Sequence, residues 1–438
     1  MSSTIVRRYG AALVGGALAV SLTAAPAQAH EDPDRLPKAI GTTWLSSRLD
    51  DGLLHAAYDG GSGAVSYNDY GGTVEAAYAL DAIGRTRLLP RITGALAETV
   101  DSYITGADFG APDDHYAGPT GKLLSFVSDL GGDADPAAFG GTDLVARMEA
   151  LTGESGRIAD AGGSDFANVY GQTWAARGLL NVGSPEAEAA VDFLLTQQCS
   201  GGHFLSFFTD TCDGSAAGPD ATAFAVVLLH EHAAGDPELA AALAKATDWL
   251  VGWQARNGSL SDDNGIANAN STGLGGWAFS VAGRDRAAKR AAIWLRSRQV
   301  PGRSCDKALA GERGAIAYDK RAYAAGRRSG ISALVAGEWQ TVAAQALPAL
   351  AHAPSTHVPL AVDAPERVEA GSRVRVRIEG LAEGERACVG IGRRTVAIVG
   401  GREGDPVFAR VTVRQPAGKR AVKVLTADDT AIDRIVAR

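Results

Sequence analysis

Thr73-Val74-Glu75-Ala76-Ala77-Tyr78-Ala79-Leu80 is apolar around almost the whole circumference of a helix, and such a helix has to be buried on almost every side. Five further stretches share its design. Gly72-Thr73, Pro119-Thr120, Gln172-Thr173, Ala221-Thr222, Ser271-Thr272 and Gln340-Thr341 each set a threonine near the start of an Ala-, Leu- and Gly-rich segment. The threonines recur about every 50 residues, with a longer last interval. A period of that length marks a repeat architecture. The spacing predicts six inner helices.

Amphipathic segments alternate with them, at residues 36–49, 88–104, 142–151, 186–198, 239–254 and 286–299. Each has one wet face and one packed face, as expected of an outer helix. Three of them end alike, in Phe193-Leu194…Gln198, Trp249-Leu250…Gln254 and Trp294-Leu295…Gln299, and glycine follows at Gly201-Gly202, Gly258 and Gly302. A terminal glutamine can bond exposed helix carbonyls while glycine supplies the left-handed exit. These residues are read as structural staples. Six outer and six inner helices in alternation predict a mainly α fold, an (α/α)6 toroid of six helical hairpins.

The Gln…Gly pattern, with the helix start Asp220-Ala221-Thr222-Ala223, resembles the prenyltransferase and squalene-cyclase repeat over residues 36–350. The resemblance implies the toroid shared by terpenoid cyclases, prenyltransferase β-subunits, complement thioester domains and cobalamin carriers. It implies fold more than function, because that superfamily holds both enzymes and binders.

The flanks extend this plan. Arg7 and Arg8, an apolar run over 11–20 and Ala27-Gln28-Ala29 read as a signal peptide over 1–29, cleaved after about Ala29, with a secreted product. The run is too short to span a bilayer. Residues 30–351 are assigned to the toroid and the Pro- and His-containing 352–359 to a linker. Beyond it the period changes to two, as in Arg373-Val374-Arg375-Val376-Arg377-Ile378. With further runs at 395–399 and 410–414, residues 360–438 predict a small all-β, immunoglobulin-like sandwich. From Pro359 on there are 15 Lys and Arg against 11 Asp and Glu, whereas the whole chain carries −8. An overall acidic balance gives no reason to expect a nucleic-acid partner. The alternating arginines read as a solvated strand face or as a face for a cell-wall or anionic ligand. Cys199 and Cys212 bracket a loop and predict a disulfide worth about 3 kcal/mol. Cys305 and Cys388 either pair across the domains or stay free, and the cysteine spacing matches no metal site.

In such a ring the inner-helix N-termini converge on one mouth, with their free N–H groups and positive dipole ends. Candidate ligand-binding residues are therefore those before each threonine: Asp69 and Tyr70, Tyr116, Asn168 and Tyr170, Asp220, and Asn268 and Asn270, with Asp113 and Asp114 just upstream. For Asp220 and Asn270 helix N-capping is the simpler account. Among enzymes, the cyclase resemblance places Asp220 at the proton-donating carboxyl, but Gly218 and Ala221 replace its two acidic neighbours. No Asp-Cys-His zinc trio, Gly-Cys-Gly-Glu-Gln thioester or His-Glu-x-x-His motif is present, and Asp262-Asp263 reads as a solvated loop. A glycosidase, with Asp113, Asp114 and Asp220 as its carboxyls, stays open. Export and the order toroid-then-β-domain favour capture of a small hydrophobic or cobalamin-like ligand, or of a cell-surface component. Neither metal nor cofactor is then required, cobalamin is a candidate ligand, and a membrane transporter is a candidate partner. The alternatives are a terpenoid cyclase-like or glycan-active enzyme, with Asp220 catalytic, and a non-catalytic surface protein.

Overall fold

The structure is a computed structural model describing residues 33–212, 217–302, 307–392, 394–402, 406–414 and 417–438. The expected signal peptide and Cys305 lie outside the described residues. The chain is helical, with a β-rich C-terminal region.

Helices α1 (Arg35–Ser46), α2 (Tyr70–Ala82), α3 (Leu89–Glu98), α4 (Val100–Ile104), α5 (Ala117–Leu130), α6 (Leu144–Ala150) and α7 (Val169–Val182) come first. They are followed by α8 (Ala187–Thr196), α9 (Pro219–Leu229), α10 (Pro237–Trp253), α11 (Ala269–Val281), α12 (Asp285–Arg296), α13 (Lys320–Ser329) and α14 (Ala333–Ala346). α2 packs on α5, α5 on α7, α7 on α9, α9 on α11, α11 on α14, and α14 back on α2. These helices close a ring. Five of them are opened by the threonine register, and residues such as Val74, Leu123, Leu179, Ala225 and Phe279 are buried in its wall.

The threonine has a physical job. Thr73, Thr222 and Thr272 each donate Oγ1–H to the carbonyl four residues back, at 2.6, 2.7 and 2.6 Å. Each also accepts the backbone N–H of the incoming segment, from Leu54, Phe204 and Leu260, at 2.9 Å in every case. In α7 the second task passes to Gln172, whose Oε1 accepts from Ile158 N at 2.9 Å. The sixth position departs from the register. α14 begins at Ala333, two turns before Thr341, whose hydroxyl bonds Gly337 O inside the helix. The longer last interval holds an unforeseen extra helix, α13. The expected outer helix over 88–104 is likewise broken at Thr99, whose hydroxyl bonds back to Ala95 O at 2.8 Å and competes with the helical ladder.

The terminal glutamines bind differently from the self-capping expected of them. Gln198 Nε2 donates to Gly202 O and, across to α10, to Ala242 O (2.9 and 2.8 Å). Gln254 bonds Gly258 O and Ala287 O on α12, both at 3.0 Å. Gln299 bonds Pro37 O on α1 at 2.9 Å and Gly314 O at 3.3 Å, which joins the last outer helix to the first. Each therefore ties its hairpin to the next. Gly258 makes the close approach: at φ +89° a β-carbon would lie 2.1 Å from Arg290 O, so only glycine fits. Gln299→Ala is expected to destabilise the fold by roughly 1–3 kcal/mol through stranded buried carbonyls. A denaturant midpoint equal to that of the unchanged protein would refute the staple role.

Short hairpins lead into three inner helices: β1 (Leu54–Asp59) with β2 (Ala64–Asp69), β3 (Thr105–Gly106) with β4 (Ala111–His115), and β5 (Leu260–Ser261) with β6 (Ala267–Asn268). They surface at the end of the ring where the inner helices begin. The loop before α9 is closed by the expected Cys199–Cys212 disulfide. Among the described residues no helix is long and apolar enough to cross a membrane.

The C-terminal region contains β7 (Ala361–Asp363), β8 (Arg367–Val368), β9 (Arg373–Glu379), β10 (Arg386–Ile391), β11 (Arg394–Gly400), β12 (Val407–Thr412), β13 (Gly418–Leu425) and β14 (Thr430–Ala437). One sheet runs β11-β10-β13-β14-β8 and the other β12-β9-β7. Val376, Ile378 and Val411 from one sheet share an apolar core with Val389, Val424 and Ile435 from the other. Cys388 is buried on β10. Arg296 joins this region to the ring: only 5% exposed, it donates to Asp34 Oδ2 (2.7 Å) and Pro354 O (3.0 Å), with Glu385 at 3.6 Å.

Candidate active site

At the mouth where the inner helices start, the caps are Asp69, Asn168 and Asn268. Their side chains accept from Gly72 N, Gly171 N and Ser271 N, at 2.8, 3.1 and 2.8 Å. The start of α5 is capped instead from outside, by Asp160 accepting from Ala117 N at 2.7 Å. Asp220 and Asn270 do not cap, which corrects the simpler account of both. Each is the second residue of its helix, and each holds an Oδ1 that is shielded from solvent and without a hydrogen-bond partner. A buried polar atom left unpaired is costly, and such groups concentrate where function requires them.

Asp220 is the centre of one wall. Burial pushes its carboxyl up to about 6 against a bond from the Ser271 side chain, and the charges of Asp262, Asp263 and Glu75 push the same way. Asp262 and Asp263, expected to be only a solvated loop, are thus electrostatic neighbours of Asp220. The Asp262 carboxylate accepts from Asn264 N (3.0 Å), Ile266 N (2.9 Å) and, at 3.3 Å, the Tyr318 hydroxyl. Tyr170, packed edge-on to Phe224, has its phenol raised to about 12 by burial and by Asp220, and its oxygen lies 3.5 Å from Ser206 Oγ.

The facing wall rests on two residues that reasoning from helix starts missed. Glu75 and Lys122 each follow their repeat threonine by two positions. They form an ion pair at 2.6 Å with side chains only 16% and 13% exposed. Gln345 on α14 donates to the other Glu75 oxygen at 2.9 Å, and Lys122 Nζ stands 5.3 Å from the Trp174 ring centre. Tyr70 packs on Tyr103 with ring centres 5.4 Å apart. Burial and the Glu75 and Asp69 charges push the Tyr103 phenol well up. Burial also raises Asp69. The signal was available: a charge set inside a segment otherwise apolar all round.

The structure does not bring every candidate to this centre. Asp113 is exposed on β4, and Asp114 lies against Gly162 and Gly163, so neither joins Asp220. The Tyr116 hydroxyl lies over Gly106. Among the described residues no group of three or more His, Cys, Asp or Glu is arranged to hold a metal ion. The opposite end of the ring has a cavity of about 450 Å³ beside Asp129. Asp129 accepts from Tyr78, from Arg177 Nε (2.6 Å) and from Asn181 Nδ2 (2.7 Å). With its bonds satisfied, that network ties helix ends together.

No protein-family profile matches the chain, and no curated protein matches it. Solved structures similar to it include a protein from Actinoplanes, at 20% identity over 72% of this chain and 98% of that one, with a TM-score of 0.49. A type II terpene cyclase from Scytonema in complex with geranylgeranyl dihydroxybenzoate shares 14% identity, covering 72% and 96%, at a TM-score of 0.49. An unsaturated glucuronyl hydrolase specific for heparin shares 11%, covering 73% and 96%, at 0.47. The chemistry has to be read from this chain's own residues.

Proposed function

We propose that the protein is a glycan-active enzyme that cleaves a glycosidic bond at this mouth. The observation that carries the proposal is the pairing of unlike carboxyls: Asp220, shielded and raised to about 6 by burial, against Glu75, ion-paired to Lys122. An acid near 6 donates a proton to a leaving glycosidic oxygen at neutral pH. Glu75 is held in place by its bonds to Lys122 and Gln345, and each of its oxygens keeps a further lone pair with which to activate water. No metal or cofactor is needed for that step. The lining also speaks for a sugar over a hydrocarbon, because the Ser271, Asp262, Asp263 and Tyr170 polar groups around Asp220 can bond sugar hydroxyls while aromatic rings such as Tyr170 and Phe224 offer faces for a sugar ring. Alkene protonation moreover calls for a stronger acid than one raised to about 6. Capture of a hydrophobic ligand is accordingly the weaker reading.

In this proposal residues 30–351 form an (α/α)6 toroid, 352–359 a linker and 360–438 an immunoglobulin-like sandwich. The product is exported after cleavage of residues 1–29. Incubating the protein with a panel of neutral, amino-sugar and acidic glycans is expected to release reducing ends from at least one. Glu75→Gln is expected to slow that release by about 10²-fold or more. A panel without any release would overturn the glycan reading. Conversion of squalene or geranylgeranyl substrates would support the cyclase alternative, and a spectral shift of added cobalamin the capture alternative.

A further inference from the structure

The C-terminal region carries a second feature, independent of the chemistry at the ring. A groove of about 750 Å³ opens where the edge strands β11 and β12 of the two sheets meet, and Arg373, Arg394, Arg410 and Arg414 line it with Thr395 and Thr412. All four arginines are exposed. Among the described residues none of the four is paired with a carboxylate. Their neighbours on the same face are accounted for: Arg375 stacks on Phe408 at 3.4 Å from the ring centre, and Arg377 pairs with Glu379.

The register makes the row hard to explain as a plain solvated face. Arg410 stands directly opposite Arg375, and Thr412 opposite Arg373, in the β9–β12 ladder. Like charges directly across a ladder destabilise it, and ordinary surface design intersperses both signs. Residues two apart on a strand share a face roughly 7 Å apart, so Arg410 and Thr412 present a guanidinium and a hydroxyl in line, and Arg414 lines the groove just beyond the end of β12. Guanidinium forks match planar carboxylate and sulfate groups bidentately. Among the described residues, the side chains lining the groove offer no aromatic face on which a nucleic-acid base could stack.

We propose that this groove binds a linear anionic polysaccharide, one carrying a carboxylate or sulfate on its repeating unit. Successive anions engage successive arginines, and the Thr412 hydroxyl serves the sugar hydroxyls between them. The experiment is binding of the full chain to immobilised polyuronate, sulfated glycosaminoglycan, neutral dextran and single-stranded DNA, at low and at physiological salt.

Binding to one or both acidic glycans, not to dextran, is expected, and it should weaken by about tenfold or more with salt because exposed charges are screened. The triple variant Arg394→Gln, Arg410→Gln, Arg414→Gln should lose about tenfold or more in affinity, with an unchanged melting temperature as its control. If that variant does not fold, Arg410→Gln alone, with Arg410→Lys as the charge-retaining partner, reads the same effect. Which acidic glycan binds better separates carboxylate from sulfate recognition. Equal binding to dextran, affinity unchanged in the variants, or tighter binding to DNA than to either acidic glycan would overturn the assignment.

Discussion

Asp220→Asn is expected to lower turnover by roughly 10²–10⁴-fold, the range for loss of a positioned proton donor. The amide keeps the size and hydrogen-bonding capacity of the side chain but has no proton of the right acidity to give. In the unchanged enzyme the rate should fall as pH rises through about 6, where burial has placed the Asp220 carboxyl. The same substitution should act oppositely on stability. The folded carboxyl holds its proton more tightly than the unfolded one at 3.8, so between about 4 and about 6 the native state binds more protons than the unfolded state. Stability then declines across that window as pH rises, and above it the whole penalty is present. It is on the order of 3 kcal/mol from the size of the shift. Asparagine carries no charge and escapes the penalty. At neutral pH the inactive variant should melt a few degrees higher than the parent, and below pH 4 the difference should vanish. A variant less stable than the parent at neutral pH would show that Asp220 is a structural group and would remove it from the proton-donor role.

This opposition between activity and stability explains why the ring was legible in the sequence and the site only in part. Ring helices announce themselves because burial on all sides filters composition along a whole segment, and because one threonine must hook each incoming strand to its helix. That constraint repeats at 73, 222 and 272, so it shows as a period. Where another device replaces it, as at α14, the period misplaces the helix start by two turns. A site has no such repetition. Asp69, Asn168 and Asn268 look like Asp220 and Asn270 in sequence, yet three of them cap and two do not. The difference lies in two residues of offset along the first turn, within the error of helix boundaries read from sequence. Glu75 and Lys122 were visible as charges within apolar segments. Their pairing, however, depends on α2 and α5 being neighbours in the ring. Asp262 influences Asp220 only because the β5–β6 hairpin that carries it leads into α11, which packs on α9.

Arg296→Ala should be the most damaging substitution for the fold itself. Its guanidinium is nearly inaccessible and holds three partners from separate parts of the chain: Asp34 at the cap of α1, Pro354 O after the last ring helix, and Glu385 just before β10. Burial already raises the Glu385 carboxyl, and Arg296 is the main group opposing that rise. Removing the arginine leaves two carboxylates facing each other without a cation. Loss of one partner from a buried ionic cluster costs about 3–5 kcal/mol. The deficit should shrink on acidification. Without Arg296 the folded Glu385 moves further above its unfolded value, so the variant gains stability relative to the parent as pH falls and the proton returns. Urea midpoints of parent and variant at neutral and mildly acidic pH measure this directly. A deficit under about 1 kcal/mol, the range of exposed ion pairs, or one independent of pH, would mean that water already solvates the junction. The β-region would then be held to the ring by its other contacts, such as the bond from Arg313 to Ala427 O and the stacking of Arg386 on Tyr323.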